Sequence, residues 1–328
     1  MSQFIAMERL DSWMRMLKTE KQLLHSIKAQ TAKGNRDNIS RTKAYEQFFR
    51  MHPEIQWSFL AGMVSRNAGW NMCDLEGIWF SHLLGLKYRH HLFLTYEEAN
   101  WRIFQDAYPQ LLLYHYSTKY GRPLFHLCHY FFITNFMKNE WYSFWKHGDR
   151  EKLVTALIIN EQNIIEEPVI KKQSFVFHSL LFFLQDWMHF STVLFPTCNG
   201  ELYGSSVSHF RNIDKRIELG KRLAGLLFSE DLFPRFFEFS CRTEPTGARY
   251  DYEQYRKKPR YHETPMLRGV YPVIYHRAGE TEQWDMKKRV KKKWFIEPKW
   301  EEEPYLTDWY DHKQKQLHTA AIIKNLIL

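Results

Sequence analysis

Arg66, Asn67, Asn71 and Asp74 crowd into one short stretch that also holds Trp70 and Met72. An arginine there could grip an anionic group with its planar fork, and Asp74 could serve as a base or a ligand. The same residue types also suit an architectural role, with Arg66 paired to an acid from another helix and Asn71 tying down the turn at Gly69. Buried charges need partners in either case.

A second set comprises Glu97, Asn100, Asp106, Asn160 and Glu161. Glu161 lies between Ile158 and Ile165 on a helical stripe, where burial would raise its carboxyl pKa and suit acid or base work. As a partner of Arg66 or Arg249 it would instead be structural. Asp251 joins Arg249 in the run Gly247–Glu253. Helical carboxylates hold metal pairs when Glu-x-x-His recurs on facing helices, and the chain contains no such motif. His126, Cys128 and His129, or His178, Asp186 and His189, do not make a recognised tetrahedral set. No GxSxG or similar nucleophile context appears. The expectation is therefore no metal and no cofactor.

Lys287, Lys288, Arg289, Lys291, Lys292, Lys293 and Trp294 interleave cations with an aromatic ring, a pattern that can track phosphates or sit on another anionic partner. Between Arg256 and Lys293 there are twelve Lys or Arg against four acids, so this stretch carries most of the formal charge of +9. The acids Glu301, Glu302 and Glu303 could fold back on it.

The elements that would carry these residues read mainly as helices. Residues 1–33 form a mixed-charge pattern ending near Gly34, followed by a polar linker. Ser40 suits an N-cap, His52-Pro53 a break with Pro53 opening the next helix, and Ile55, Phe59 and Met63 a stripe that reaches Arg66 if the helix persists. Thr95 and Glu98 read as a capping box, with a break or kink at Pro109. Asp149 would cap 150–165. The apolar segment 174–195 is predicted to be a buried helix ended by Pro196, because His178, Gln185, Asp186 and His189 would be costly in lipid. Val207–Phe228 is amphipathic, with Arg211, Lys215, Glu218 and Arg222 outward. An irregular loop spans 241–253, a short extended piece 270–276, and a last helix 308–326.

Several phrases in order, including Asn38–Tyr45, Val64–Met72, Ala99–Trp101, Phe104–Gln110, Asn160–Asn163, Phe195–Thr197, Leu219–Arg222 and Gly247–Glu253, resemble a bacterial family catalogued as domain of unknown function 2515, found among Bacillus-like organisms. The resemblance covers about residues 36–255. It brings no assigned reaction, cofactor or catalytic residue.

Aromatic residues make up 17% of the chain, enough to predict a core whose indoles and phenols need polar neighbours. The charged fraction of 25% excludes a disordered chain. Four dispersed cysteines and an N-terminus without an apolar run point to a cytoplasmic protein. The sequence thus predicts a mainly α fold with an aromatic core: an N-terminal helix and linker (1–35), a helical core domain (36–253) and a basic, Pro-containing extension (254–328). The leading functional expectation is a non-enzymatic binding or interaction protein whose polar cluster is structural or lines a modest cleft. The alternatives are a nucleic-acid-associated protein using the basic segment, and an enzyme with Glu161 as acid or base and Arg66 or Arg249 holding an anion.

Overall fold

Burial at four-residue spacing starts the architecture: Leu23, Ile27 and Thr31 turn one face of helix α1 (19–34) into the core. The computed structural model describes residues 19–171, 192–207, 209–257, 264–276, 283–299 and 303–327. Instead of a polar linker, a tight turn leads into α2 (Asn38–Met51). Its cap is Asp37, whose carboxylate accepts the Ser40 amide at 2.7 Å, so Ser40 is an inside residue and not the N-cap. The break at His52 is present, but Pro53 lies in the turn and α3 runs Gln56–Val64. Arg66 and Asn67 therefore follow the helix and do not extend its stripe.

After a 3-10 turn (Met72–Glu76) and α4 (Ile78–Leu83), α5 runs unbroken from Leu86 to Tyr120. The expected start at Thr95 is thus an interior position, where the hydroxyl donates to the His91 carbonyl at 2.8 Å. Leu92 and Phe93, buried in a second cluster with Trp70, Phe80 and Leu267, hold the turns before it. Pro109 does not end the helix. It sits fully inside, flanked by the buried Ala107 and Leu111–Tyr114, and burial of that run outweighs the roughly 3 kcal/mol local cost of an interior proline.

A 3-10 segment (Phe125–Phe131) leads to α6 (Asn135–His147), which stops at Gly148 in the left-handed region. Asp149 then caps α7 (Arg150–Ile165) by accepting the Lys152 amide, and a π turn (Glu166–Lys171) follows. Most of the predicted helix 174–195 lies outside the described residues. Its end is not helical: Thr192–Pro196 forms strand β1, paired antiparallel with β2 (Leu202–Ser206). The β-branched and aromatic run before Pro196 fits a strand, and at Gly204 a Cβ would lie 1.9 Å from the Val193 carbonyl oxygen. The other edge of β2 receives residues 304–306 through the Gly204 amide to Pro304 O and the Leu306 amide to Leu202 O.

Helix α8 (Ile213–Leu227) is shorter than its amphipathic pattern. Arg222 does not point to solvent. It is buried and donates to Ser205 Oγ and Ser206 O, because β2 docks against that side of α8. Helix α9 (Phe233–Arg242) precedes a turn and a single helical turn at Tyr250–Glu253, so the predicted loop 241–253 is partly helical. Residue 270 likewise closes a helical turn, Leu267–Val270, and Tyr271 stacks on Phe93 with centroids 3.7 Å apart. Helix α10 spans Thr307–Ile327 and packs on α4. The protein is mainly α, and Trp284, Trp294 and Tyr310 join the aromatic core built by α1–α3 and α5–α9. No helix among the described residues is long and apolar enough to cross a membrane.

Candidate functional site

The polar residues singled out in the sequence separate into three places. The first is a sealed junction. Asp74 and Arg249 form a bidentate ion pair, Nε–Oδ1 2.6 Å and Nη2–Oδ2 2.7 Å, with both side chains essentially without exposure. Arg249 also donates to Ala68 O and to the Tyr310 hydroxyl, which donates in turn to Glu253. Asn71 caps the 3-10 turn and donates to the Tyr252 hydroxyl. Asn67, not Asn71, holds the Gly69 turn: its Oδ1 accepts the amides of Gly69 and Leu194, and its Nδ2 donates to Thr192 O. Among the described residues Arg66 is not hydrogen-bonded to an acid. It donates to the carbonyls of Ser240 and Thr243 at the end of α9, where the helix dipole is negative, and lies over the Phe239 ring. Asp251 accepts from Thr246 and Gly247 and shapes the turn before Arg249.

The second place is an amide–carboxyl network in the core. Asp106 Oδ2 accepts from Gln110 Nε2 and Asn160 Nδ2, both at 2.6 Å. Gln110 accepts the Trp141 indole N–H and Asn160 accepts that of Trp284. The indole partners expected of an aromatic core are these amides. Burial pushes the Asp106 carboxyl up to about 7, although both hydrogen bonds pull the other way.

The third place is open. A cavity of about 240 Å³ lies between α2, α3, α5, α7 and α8. Leu60, Ile103, Ile165, Val169, Leu219 and Leu223 form apolar wall, and Arg41, Tyr45, Asn100, Glu161 and Arg216 also line the space. Asn67 and Asn71 reach its rim, whereas Arg66 and Arg249 are not among its lining residues. Gly220 makes this packing feasible: a Cβ there would meet Ile158 Cγ2 at 2.7 Å, so α8 approaches α7 closely on one side of the gap.

Glu161 projects from α7 with Oε2 accepting the Trp57 indole N–H at 3.0 Å and Oε1 accepting Gln162 Nε2 at 3.1 Å. Neither Arg66 nor Arg249 is its partner, contrary to the sequence expectation, because both are committed elsewhere. No cation pairs with it among the described residues. Burial pushes its carboxyl up to about 7, and the two hydrogen bonds offset only part of that. The cavity's two arginines are already paired: Arg41 with Glu97 at 2.5 Å, and Arg216 with Glu166 and Gln162. The buried Tyr45 hydroxyl has no hydrogen-bond partner among the described residues, and burial followed by the charge of Glu161 holds its phenol well above the ordinary value. Asn100 donates to Asn38 at 3.4 Å, a long bond at the α2–α5 side of the space.

Sequence reasoning found Glu161 and Asn100 but missed Arg41, Tyr45, Gln162 and Arg216. A signal existed for two of them: Asn38, Arg41 and Tyr45 are spaced i, i+3, i+7 on α2, so a polar stripe faces the interior. Arg216 carried no comparable mark, since its acid partner lies on the π turn.

In the basic segment, Trp294 is buried and donates its indole N–H to Asp214 at 2.7 Å, and Lys291 and Lys293 pair with the same carboxylate. Lys288 reaches Glu167, while Lys287, Arg289 and Lys292 are exposed. Glu301 and Glu302, expected to fold back on the segment, lie outside the described residues, as do His178, Asp186 and His189.

Residues 33–318 match the family described as protein of unknown function DUF2515. An uncharacterized protein of Bacillus subtilis (strain 168), YppC, is 48% identical over 309 residues, which cover 93% of this chain and 96% of the relative. No solved structure matches significantly.

Proposed function

The chain belongs to the DUF2515 family, whose description carries no activity, and we propose from its own geometry that it binds a small, mainly apolar molecule in the cavity beside Glu161. The observation that supports this most is a largely apolar space whose wall holds Glu161, its carboxylate met by an indole N–H and an amide N–H. A ligand with an apolar body and one polar end would fill the walls and meet that acid. The volume exceeds the roughly 150 Å³ that suffices for benzene in an apolar cavity and is below the range of drug-sized pockets. Apolar walls with a few convergent polar atoms are the usual composition of a ligand site.

The test uses the full chain and a neutral fluorescent probe, N-phenyl-1-naphthylamine. Saturable binding to the native protein, weakened at least tenfold by Ala99→Trp with far-UV circular dichroism unchanged, is the expected result; Ala99 lines the cavity. Equal binding to both proteins would remove the cavity as the site. A second reading, an enzyme with Glu161 as acid or base, draws on a carboxyl that titrates at about 7. Arg66 and Arg249 lie outside the cavity lining, so that reading loses the anion holders first assigned to it.

A further inference from the structure

The charge pattern around the cavity points to the class of ligand, an inference that rests on the binding reading above. The arginines on the wall are each neutralised from within the protein: Arg41 by Glu97 and Arg216 by Glu166. Among the described residues Glu161 meets only neutral donors, an indole N–H and a side-chain amide. When ionised, it is the charge in the space that no described cation compensates. The Tyr45 hydroxyl, which has no hydrogen-bond partner among the described residues, is buried nearby, and a negative charge on Glu161 raises its phenol further.

We propose that the cavity takes a hydrophobic monoamine, a molecule with an apolar body and one ammonium group. The ammonium has three donors and no acceptor. It would give one to the Glu161 carboxylate, while the body lies against Ile103, Ile165, Leu219 and Leu223. A carboxylic acid of the same shape would bring a second anion beside Glu161 and lose affinity through repulsion. An alcohol would bind through the apolar walls without the charge.

The cation also explains why an acid is useful where a neutral amide would otherwise serve. Burial pushes the carboxyl in this position up to about 7, so an isolated one is largely protonated only below neutrality. An incoming ammonium stabilises the ionised form, so binding below neutrality expels a proton. Affinity should then rise with pH through about 7 until the amine itself deprotonates near its own pKa of about 10.

The experiment is titration calorimetry of the full chain with 4-phenylbutylamine, 4-phenylbutanol and 4-phenylbutyrate at pH 6 and pH 8. The amine should bind about tenfold or more tightly than the alcohol at pH 8, the difference expected between a charge-assisted and a neutral hydrogen bond, with the carboxylate weakest. At pH 6, amine binding should release protons, read from the dependence of heat on the buffer's ionisation enthalpy. Glu161→Gln should abolish both the preference and the proton release while leaving alcohol binding in place. The proton release is measured on the native protein, so it decides even if that variant does not fold. Amine and alcohol binding equally, both blocked by Ala99→Trp, would overturn the amine assignment and leave the cavity reading standing. Binding of none of the three would overturn both.

Discussion

Replacing Asp74 by Asn leaves the side-chain volume nearly unchanged but removes the negative charge facing Arg249. Both groups are sealed, with side-chain exposures of 1% for Arg249 and 0% for Asp74. The substitution therefore leaves an unneutralised guanidinium with the carbonyls of Ala68 and Gly69, the Tyr310 hydroxyl and the one side-chain oxygen that remains at position 74. One of the two short bonds, at 2.6 and 2.7 Å, must also face an amide N–H in place of an oxygen. Breaking a buried pair by removing one partner costs roughly 3–5 kcal/mol, a large part of a typical total stability of about 5–15 kcal/mol. Urea unfolding followed by tryptophan fluorescence should show the midpoint moving accordingly at constant slope. The double variant Asp74→Asn with Arg249→Met should lose less than the single one, because the stranded charge is gone. A loss below about 1 kcal/mol in Asp74→Asn, or a double variant worse than the sum of the singles, would refute the stranded-charge reasoning.

Glu161 ties stability to pH. Its folded pKa of about 7 lies above the ordinary 4.5, so the folded state holds a proton that the unfolded chain has already lost. Stability should fall as pH rises from about 4.5 through 7, and Glu161→Gln should gain on the native protein over that interval by up to roughly 3 kcal/mol, measured by urea unfolding at stepped pH. Asp106 shifts in the same direction, so the variant should keep part of the slope. Asp106→Asn preserves an acceptor for Gln110 and Asn160 and should cost under about 1 kcal/mol, whereas Asp106→Leu leaves their N–H groups unmet and should cost about 2–4 kcal/mol; comparable losses from both would argue against the network's role. Gly220→Ala should destabilise by about 1–2 kcal/mol despite better helix propensity, since its new methyl meets Ile158 at 2.7 Å; a rise in melting temperature would show that α7 and α8 part without strain.

The sequence conveys the helical class, the cap at Asp149, the break at His52 and the last helix because these depend on short-range periodicity and capping. It misleads where tertiary burial overrides local signals. Thr95 with Glu98 has the form of a start, and Pro109 that of a stop, yet α5 passes through both because its flanks are buried. Strand β1 is hidden in an apolar run, where periodicity does not separate strand from helix. At the polar sites, sequence distinguishes neither open from sealed nor which acid meets which base: Arg249 finds Asp74 across 175 positions. Glu161 is legible from its stripe as an acid turned toward the interior, and it is half-buried. That no described cation pairs with it is not legible, because that depends on where every arginine ends up.

The junction of Asp74, Arg249 and Tyr310 has a consequence for the order of assembly. Its members are separated by 175 and 61 positions along the chain. At about 5–20 residues per second during synthesis, Arg249 appears roughly 9–35 s after Asp74, and Tyr310 a further 3–12 s later. Until then Asp74 must stay hydrated, since sealing it alone would bury an unpaired charge. The turns around Gly69 and Thr246 consequently close late, and the nascent chain depends on water, or on a chaperone with polar contacts, to keep that acid solvated through the wait.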